Sequence, residues 1–161
     1  MTAEFEILLN RFTGAVEAAD GAALGALFHA DGVYADTFYG AFTGSDAIAD
    51  MLDNYFHRDA ERFRWDMFDP VFDGARGYAH WLFSYSSTFE DSAGTRVAFD
   101  GMSRFEIEDG LIRSYHEVFS AGEAFVQLGM TPERVEKVLR RMITPKLERA
   151  ALTRHLELSI P

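Results

Sequence analysis

Phe5, Leu8, Leu9, Phe12 and Val16 recur at helical spacing, which predicts an amphipathic helix over residues 4–19. Asp20-Gly21 breaks it, and a short helix over 22–28 ends at Asp31-Gly32. Val33 to Asp36 and Tyr39 to Thr43 read as two short strands. Ser45 is placed to cap a helix over 46–58, whose apolar face is Ile48, Met51, Leu52, Tyr55 and Phe56. Beyond it the period becomes alternating, giving long strands at 62–72, 76–90, 95–107 and 111–120. The turns between them are Asp73-Gly74, Asp91 to Gly94 and Asp109-Gly110. Ala121 to Leu128 reads as a helical turn. Thr131-Pro132-Glu133 then opens a helix with the stripe Val135, Val138, Leu139 and Met142, which Pro145 ends or kinks; a weaker helix follows over 146–158.

Helices, then an antiparallel meander, then a C-terminal helix predict an α+β domain with helices on one sheet face. Residues 1–130 form its body and 131–161 a C-terminal helical extension. A curved sheet around helices encloses a pocket, and strand pairing predicts its lining. Pairing Glu90 with Thr95 and Ile107 with Leu111 puts Tyr78, His80, Leu82, Phe99, Ser103, Phe105, Tyr115, Glu117 and Phe119 on one face. Trp81, Phe83, Tyr85, Met102 and Arg104 fall on the other, and a one-residue slip exchanges the sets. Both faces are rich in apolar groups, whereas a sheet with one wet face alternates more cleanly. The second face is therefore expected to form a homodimer interface through Trp81, Phe83, Tyr85 and Met102; the alternative is cover by the C-terminal helix of the same chain.

Composition and charge narrow the function classes. Hydrophobic residues make up 48% and charged residues 25%, an ordinary globular balance that argues against disorder. Fifteen phenylalanines suit a core or cavity lined with flat apolar surface. The net charge of −11 argues against nucleic acid, whose binders cluster Lys and Arg. It is uneven: residues 1–130 carry 8 basic and 22 acidic groups, a balance of −14, while 131–161 carry 7 and 4, a balance of +3. No cysteine is present, which removes disulfides, thiolate catalysis and Cys-ligated zinc. Glu4 and Glu6 stand where a signal peptide is basic, and no apolar run reaches 18 residues, so a cytoplasmic protein without a membrane partner is expected. No His pair has metal spacing and no Gly-rich nucleotide loop occurs, so neither metal nor cofactor is expected.

Several segments together resemble a known superfamily. They are Leu27-Phe28-His29-Ala30-Asp31-Gly32-Val33-Tyr34-Ala35-Asp36, Gly44-Ser45-Asp46-Ala47-Ile48, Phe105-Glu106-Ile107-Glu108-Asp109-Gly110-Leu111-Ile112, and Tyr115-His116-Glu117-Val118-Phe119. In order and spacing, over residues 5–128, they resemble the nuclear transport factor 2-like superfamily, within it the SnoaL-like and ketosteroid-isomerase-like proteins. The resemblance implies a cone-shaped α+β barrel: a curved antiparallel sheet around N-terminal helices, with an apolar pocket, usually dimeric. The fold hosts isomerases, cyclases, dehydratases, epoxide hydrolases and non-catalytic binding domains. It implies that Asp36 matches the general-base carboxylate of ketosteroid isomerases. Their two enolate-binding donors match Phe12 and Ser103 here, neither of them a strong donor. Glu117 matches the acid/base carboxylate on the last strand of SnoaL-like cyclases and limonene-epoxide-hydrolase-like enzymes. The Arg and Asp that the epoxide hydrolases add are missing from His80 to Ser87.

The candidate catalytic residues are therefore Glu117, Asp36 and His80. Glu117, on an apolar face beside Tyr115 and Phe119, is expected to have a raised pKa suited to proton transfer; the plainer reading pairs it with Arg113 or a backbone amide. Asp36 has a plainer reading as a turn former. His80 could share a proton with Glu117 or Tyr115, or be a core His bonded to Ser103. Tyr115, Ser103, Phe12, Tyr34, Tyr55, Phe99, Phe105 and Phe119 are the candidate ligand contacts, plain core packing being the alternative for each ring. The expected ligand is a small, mostly apolar, cyclic molecule. The expected chemistry is cofactor-free isomerisation, cyclisation or dehydration, with a non-catalytic binding or dimerisation domain as the alternative.

Overall fold

The computed structural model describes residues 2–157. Helices α1 (Thr2–Glu17) and α2 (Gly21–Gly25) are followed by strands β1 (Phe28–Asp36) and β2 (Gly40–Thr43). Helix α3 (Ser45–Met51) runs on through a π-helical turn (Leu52–Phe56) into α4 (His57–Asp59). Then come β3 (Ala60–Phe72), β4 (Arg76–Ser87), β5 (Arg96–Glu108) and β6 (Leu111–Phe119), and last α5 (Ala121–Gln127), α6 (Pro132–Leu147) and α7 (Ala150–Leu156). The strands form one sheet in the order β2-β1-β6-β5-β4-β3. The fold is α+β as expected, but the curved sheet stays open: β2 and β3 are its edges. All neighbouring pairs are antiparallel except β1 with β6. Edge strand β3 carries Pro70 and two register breaks, features that discourage further strand addition.

The concave face is filled by α1, whose Phe5, Leu8, Leu9, Phe12 and Val16 are all buried, as their spacing predicts. Asp20 caps α2 by accepting from Ala23 N at 2.8 Å. Gly44, not Ser45, is the cap of α3. The β5–β6 turn is the tight Asp109-Gly110 pair, both residues at positive φ (50° and 77°), as a two-residue hairpin of this twist requires.

The β4–β5 register differs from the expected one. Chain 88–95, with a 3-10 turn at Glu90–Ser92, makes the connection, so Ser86 pairs with Arg96 and Phe83 with Phe99. The offset from the expected pairing is an odd number of residues, which turns β4 over. Trp81 (1% exposed), Phe83 and Tyr85 thus face the interior, while Tyr78, His80 and Leu82 face outward. Trp81, Phe83 and Tyr85 cannot form a dimer interface; of the four residues expected there, only Met102 is exposed. Trp81 lies opposite Gly101, where an added Cβ would come within 2.4 Å of the indole. The glycine makes room for the ring.

Helix α6 starts as predicted, with Pro132 in its first turn and Thr131 Oγ1 accepting from Arg134 N. It continues through Pro145 to Leu147 instead of ending there, although proline has no N–H to bond the carbonyl of Arg141. No residue of α6 is fully buried. No helix among the described residues is long and apolar enough to cross a membrane.

Candidate active site

Asp36 ends β1, and its carboxylate turns back on the chain that follows. Oδ1 accepts from both Phe38 N and Tyr39 N, each at 2.7 Å. This is the turn-forming role of an Asp, yet the residue is 8% exposed and also lines the interior cavity. One residue serves both readings offered by the sequence. In the parallel β1–β6 pair, Tyr34 is opposite Tyr115 and Ala35 opposite His116, so the next step sets Asp36 beside Glu117.

Glu117 lies on the inner face of β6 with Tyr115 and Phe119, as strand parity predicts. Its Oε1 accepts from Thr37 N at 3.1 Å and its Oε2 from Tyr115 Oη at 3.0 Å. Behind Tyr115 a chain of buried donors runs inward. Ser103 Oγ donates to Tyr115 Oη at 2.9 Å, and Trp81 Nε1 donates to Ser103 Oγ at 2.8 Å. An indole N–H can only donate, so it fixes the direction of the whole chain towards Glu117.

No cation among the described residues neutralises this pair. Arg113 binds Asp31 and Glu108 on the surface and does not reach Glu117. Neither Asp36 nor Glu117 has an ion-pair partner among the described residues. Burial is the main cause that raises the Glu117 carboxyl, to about 8, with the neighbouring Asp36 charge second. Burial also raises Asp36, to about 6, while its two backbone donors pull the other way. Two like groups this close titrate as a pair. The two backbone N–H bonds favour Asp36 as the ionised member and leave the shared proton on Glu117. The site then holds one acid and one base at neutral pH.

The cavity is lined by Tyr34, Phe38, Phe56, Trp65, Trp81, Phe83, Phe99 and Phe119 besides the two carboxyls, and measures about 30 Å³. Phe38 is its most exposed ring and packs on Phe119 at 5.2 Å and on Phe125 of α5 at 5.8 Å. A benzene-sized guest needs ~150 Å³. The cavity as it stands is too small for a ring of that size.

Among the predicted site residues, Asp36, Glu117, Tyr34, Phe99 and Phe119 line this cavity, and Tyr115 and Ser103 support Glu117 from behind. Phe12 and Phe105 are core residues. Phe12 stacks on Tyr34, and Phe105 packs against Phe5, Phe12 and Tyr115. Tyr55 packs away from the cavity, edge-on to Tyr39 and Phe42. His80 is not a site residue: it lies on the outer sheet face, 3.4 Å from Asp100 and edge-on to Phe68. It was misplaced by the β4 register, which also hid Trp81 and Phe83 from the predicted lining. Gly101 was the available signal, since a glycine inside a strand marks close approach of something large. Trp65 had no comparable signal. Among the described residues no three His, Asp or Glu side chains are grouped to hold a metal ion.

The family model of the SnoaL-like domain matches residues 9–115. The chain belongs to the SnoaL-like domain family. Its fold is also that of several solved structures. One is a protein of Catenulispora acidiphila with a ketosteroid isomerase-like fold, in complex with trimethylamine (TM-score 0.71, 20% identity, 78% of this chain and 95% of that one). Another is an LEH-like epoxide hydrolase of Mycobacterium tuberculosis (0.65, 20%, 89% and 98%). A third is a candidate polyketide cyclase of Xanthomonas campestris (0.65, 21%, 79% and 98%). No curated protein matches this SnoaL-like chain. Identities this low carry the fold and leave the chemistry to the site itself.

Proposed function

We propose that this SnoaL-like protein is a cofactor-free acid–base enzyme that isomerises, cyclises or dehydrates a small, mostly apolar cyclic molecule. Asp36 acts as base and Glu117 as acid. The observation that carries this reading is the pair itself: two adjacent carboxyls in an aromatic cavity, with no cation between them. Backbone hydrogen bonds account for Asp36 as a turn former, but a second buried carboxyl beside it adds a cost of several kcal/mol that structure alone does not call for. A catalytic pair gains pKa values near neutrality. The test is exchange of the α-hydrogens of cyclohexanone in D₂O, followed by NMR. The wild type should accelerate it, and Asp36→Asn and Glu117→Gln should abolish the acceleration.

The tightness of the cavity favours a second reading, a non-catalytic binding module for a smaller guest. The trimethylamine held by the Catenulispora relative is a guest of that size, and aromatic rings with a carboxylate suit a small ammonium. Absence of exchange, together with binding of trimethylammonium, would favour this module.

We also propose that the protein is a homodimer through the outer sheet face, with residues 131–161 an extension of the same domain. Leu82, Met102 and Val118, neighbours across β4, β5 and β6, are 51%, 54% and 76% exposed there, an apolar patch of the kind that marks association surfaces. Two ion pairs flank it, Arg64 with Asp66 and Arg104 with Glu106. On a body of net charge −14 this balanced face is where two copies can meet without like-charge repulsion.

A further inference from the structure

A groove of about 750 Å³ lies between α5 and α6, against about 30 Å³ for the interior cavity. Val126, Met130, Val135, Leu139 and Ile143 give it apolar walls, and Glu136 and Arg140 supply its charges. Val126, Leu139 and Ile143 are 68%, 38% and 48% exposed, so their own chain leaves them open to solvent. Pro132, Val135, Leu139 and Ile143 recur every three or four residues, which makes one apolar stripe along the 16 residues of α6. The stripe is about 24 Å long at helical rise.

The charges of α6 say what fits against it. Glu136 and Arg140 stand one turn apart on the same flank of the stripe, bonded to each other at 2.8 Å. Leu139 lies at the middle of Pro132–Leu147. A second α6 laid antiparallel about Leu139 sets Val135 against the partner's Ile143. It also brings Glu136 within one turn of the partner's Arg140, twice over, and opposes the two helix dipoles. A parallel copy sets acid beside acid and base beside base. A wholly acidic or wholly basic partner matches only one of the two charges, and an anionic membrane is repelled besides by the −14 of residues 1–130.

The course of α6 joins this groove to the outer sheet face. At its start Arg134 reaches Asp91 of the β4–β5 connection at 3.5 Å. Past its end, Arg149 is close enough for its charge to help lower the His116 imidazole, after burial and Arg104. His116 is exposed and points away from the inward Tyr115 and Glu117 on either side. A copy seated on the outer face therefore meets α6 as well.

We infer that α6 is a self-docking helix: in the homodimer the α6 helices of the two copies pair antiparallel around Leu139 and close the groove. This deepens the homodimer reading, on which it rests, by adding a contact built from the C-terminal extension.

The experiment uses the full chain, which has no cysteine of its own. In Leu139→Cys the two thiols meet at the twofold axis, so mild oxidation should give a disulfide dimer. Lys137→Cys, on the far side of the helix, should not. Dissociation is then measured by sedimentation. Glu136→Arg and Arg140→Glu each set like charges across the pair and should raise the dissociation constant roughly tenfold. An equimolar mixture of these two variants should regain wild-type affinity, because each charge finds its opposite on the other copy. Mixing cannot restore an ion pair that acts within one chain. The inference is overturned by a Leu139→Cys that crosslinks no more than Lys137→Cys, or by a mixture as weak as the single variants. Wild-type binding to phosphatidylserine vesicles that Ile143→Glu abolishes would overturn it in favour of a membrane face. The sheet contact fails separately. If Leu82→Glu combined with Leu139→Cys still crosslinks, the helix pair stands and the sheet contact falls. A wild-type dimer whose affinity is unchanged in both charge variants removes the helix pair and leaves the sheet contact. A monomeric wild type overturns both.

Discussion

Tyr115 Oη donates to Glu117 Oε2 at 3.0 Å, and both side chains rise from the same face of β6, two residues apart. The bond cannot reverse, because Ser103 donates into Tyr115 and Trp81 donates into Ser103. Tyr115 is therefore a positioning residue, and its hydroxyl is committed to the carboxyl. Each oxygen of Glu117 already accepts one protein hydrogen bond, so a proton on Glu117 occupies a lone pair that the protein leaves free.

Ser103 is the link whose loss is felt most simply. Ser103→Ala leaves the buried Trp81 N–H without an acceptor and frees Tyr115 to turn. We expect a stability loss of about 1–3 kcal/mol in urea denaturation. A variant as stable as the wild type would show that the chain does not hold the site together.

Asp36→Asn changes how stability depends on pH. Both carboxyls have raised folded-state pKa values, so between the ordinary carboxylate range and about 8 the folded protein binds more protons than the unfolded chain. The stability this confers is full at low pH and is lost as pH rises through that window. Asn keeps an oxygen for Phe38 N and Tyr39 N but removes the charge beside Glu117. The variant should gain on the wild type in melting temperature at pH 9 and gain little at pH 5. Parallel curves for the two proteins would contradict the pairing.

The dimer reading makes a prediction on the outer face. Leu82→Glu and Val118→Glu place a charge on exposed positions, which a monomer tolerates within about 0.5 kcal/mol. At an interface core the same charge is costly. Light scattering should report a dimer for the wild type and a folded monomer for both variants. Dimers in all three would move the interface elsewhere.

The turn at Asp109-Gly110 was legible from its turn chemistry, but the register was not: Ile107, expected opposite Leu111, lies opposite Ile112, and a bulge between Glu106 and Ile107 shifts the pairing once more, so that Ser103, Tyr115 and Glu117 keep the expected face with different partners. The β4–β5 connection was not legible in the same way. Its eight residues hold Asp91 and Gly94 as turn formers, but the chain also makes a 3-10 turn there that composition does not announce. Alternation could not arbitrate, since Trp81, Phe83 and Tyr85 compete with Tyr78, His80 and Leu82, and either set could face a core. One odd offset then sent His80 inside and Trp81 outside. Asp36 was legible as a carboxylate at a strand end. Its contact with the Glu117 site was not, because it depends on the parallel β1–β6 pairing between segments some 80 residues apart.

The central claim is that Glu117 holds a proton at neutral pH beside an ionised Asp36. Carboxyl-resolved NMR titration of the wild type and of Asp36→Asn measures it. The account predicts a Glu117 midpoint well above the ~4.3 of a free Glu, moving down when Asp36 is neutralised. A Glu117 that titrates at or below the ordinary value, unmoved by the change at Asp36, would contradict it.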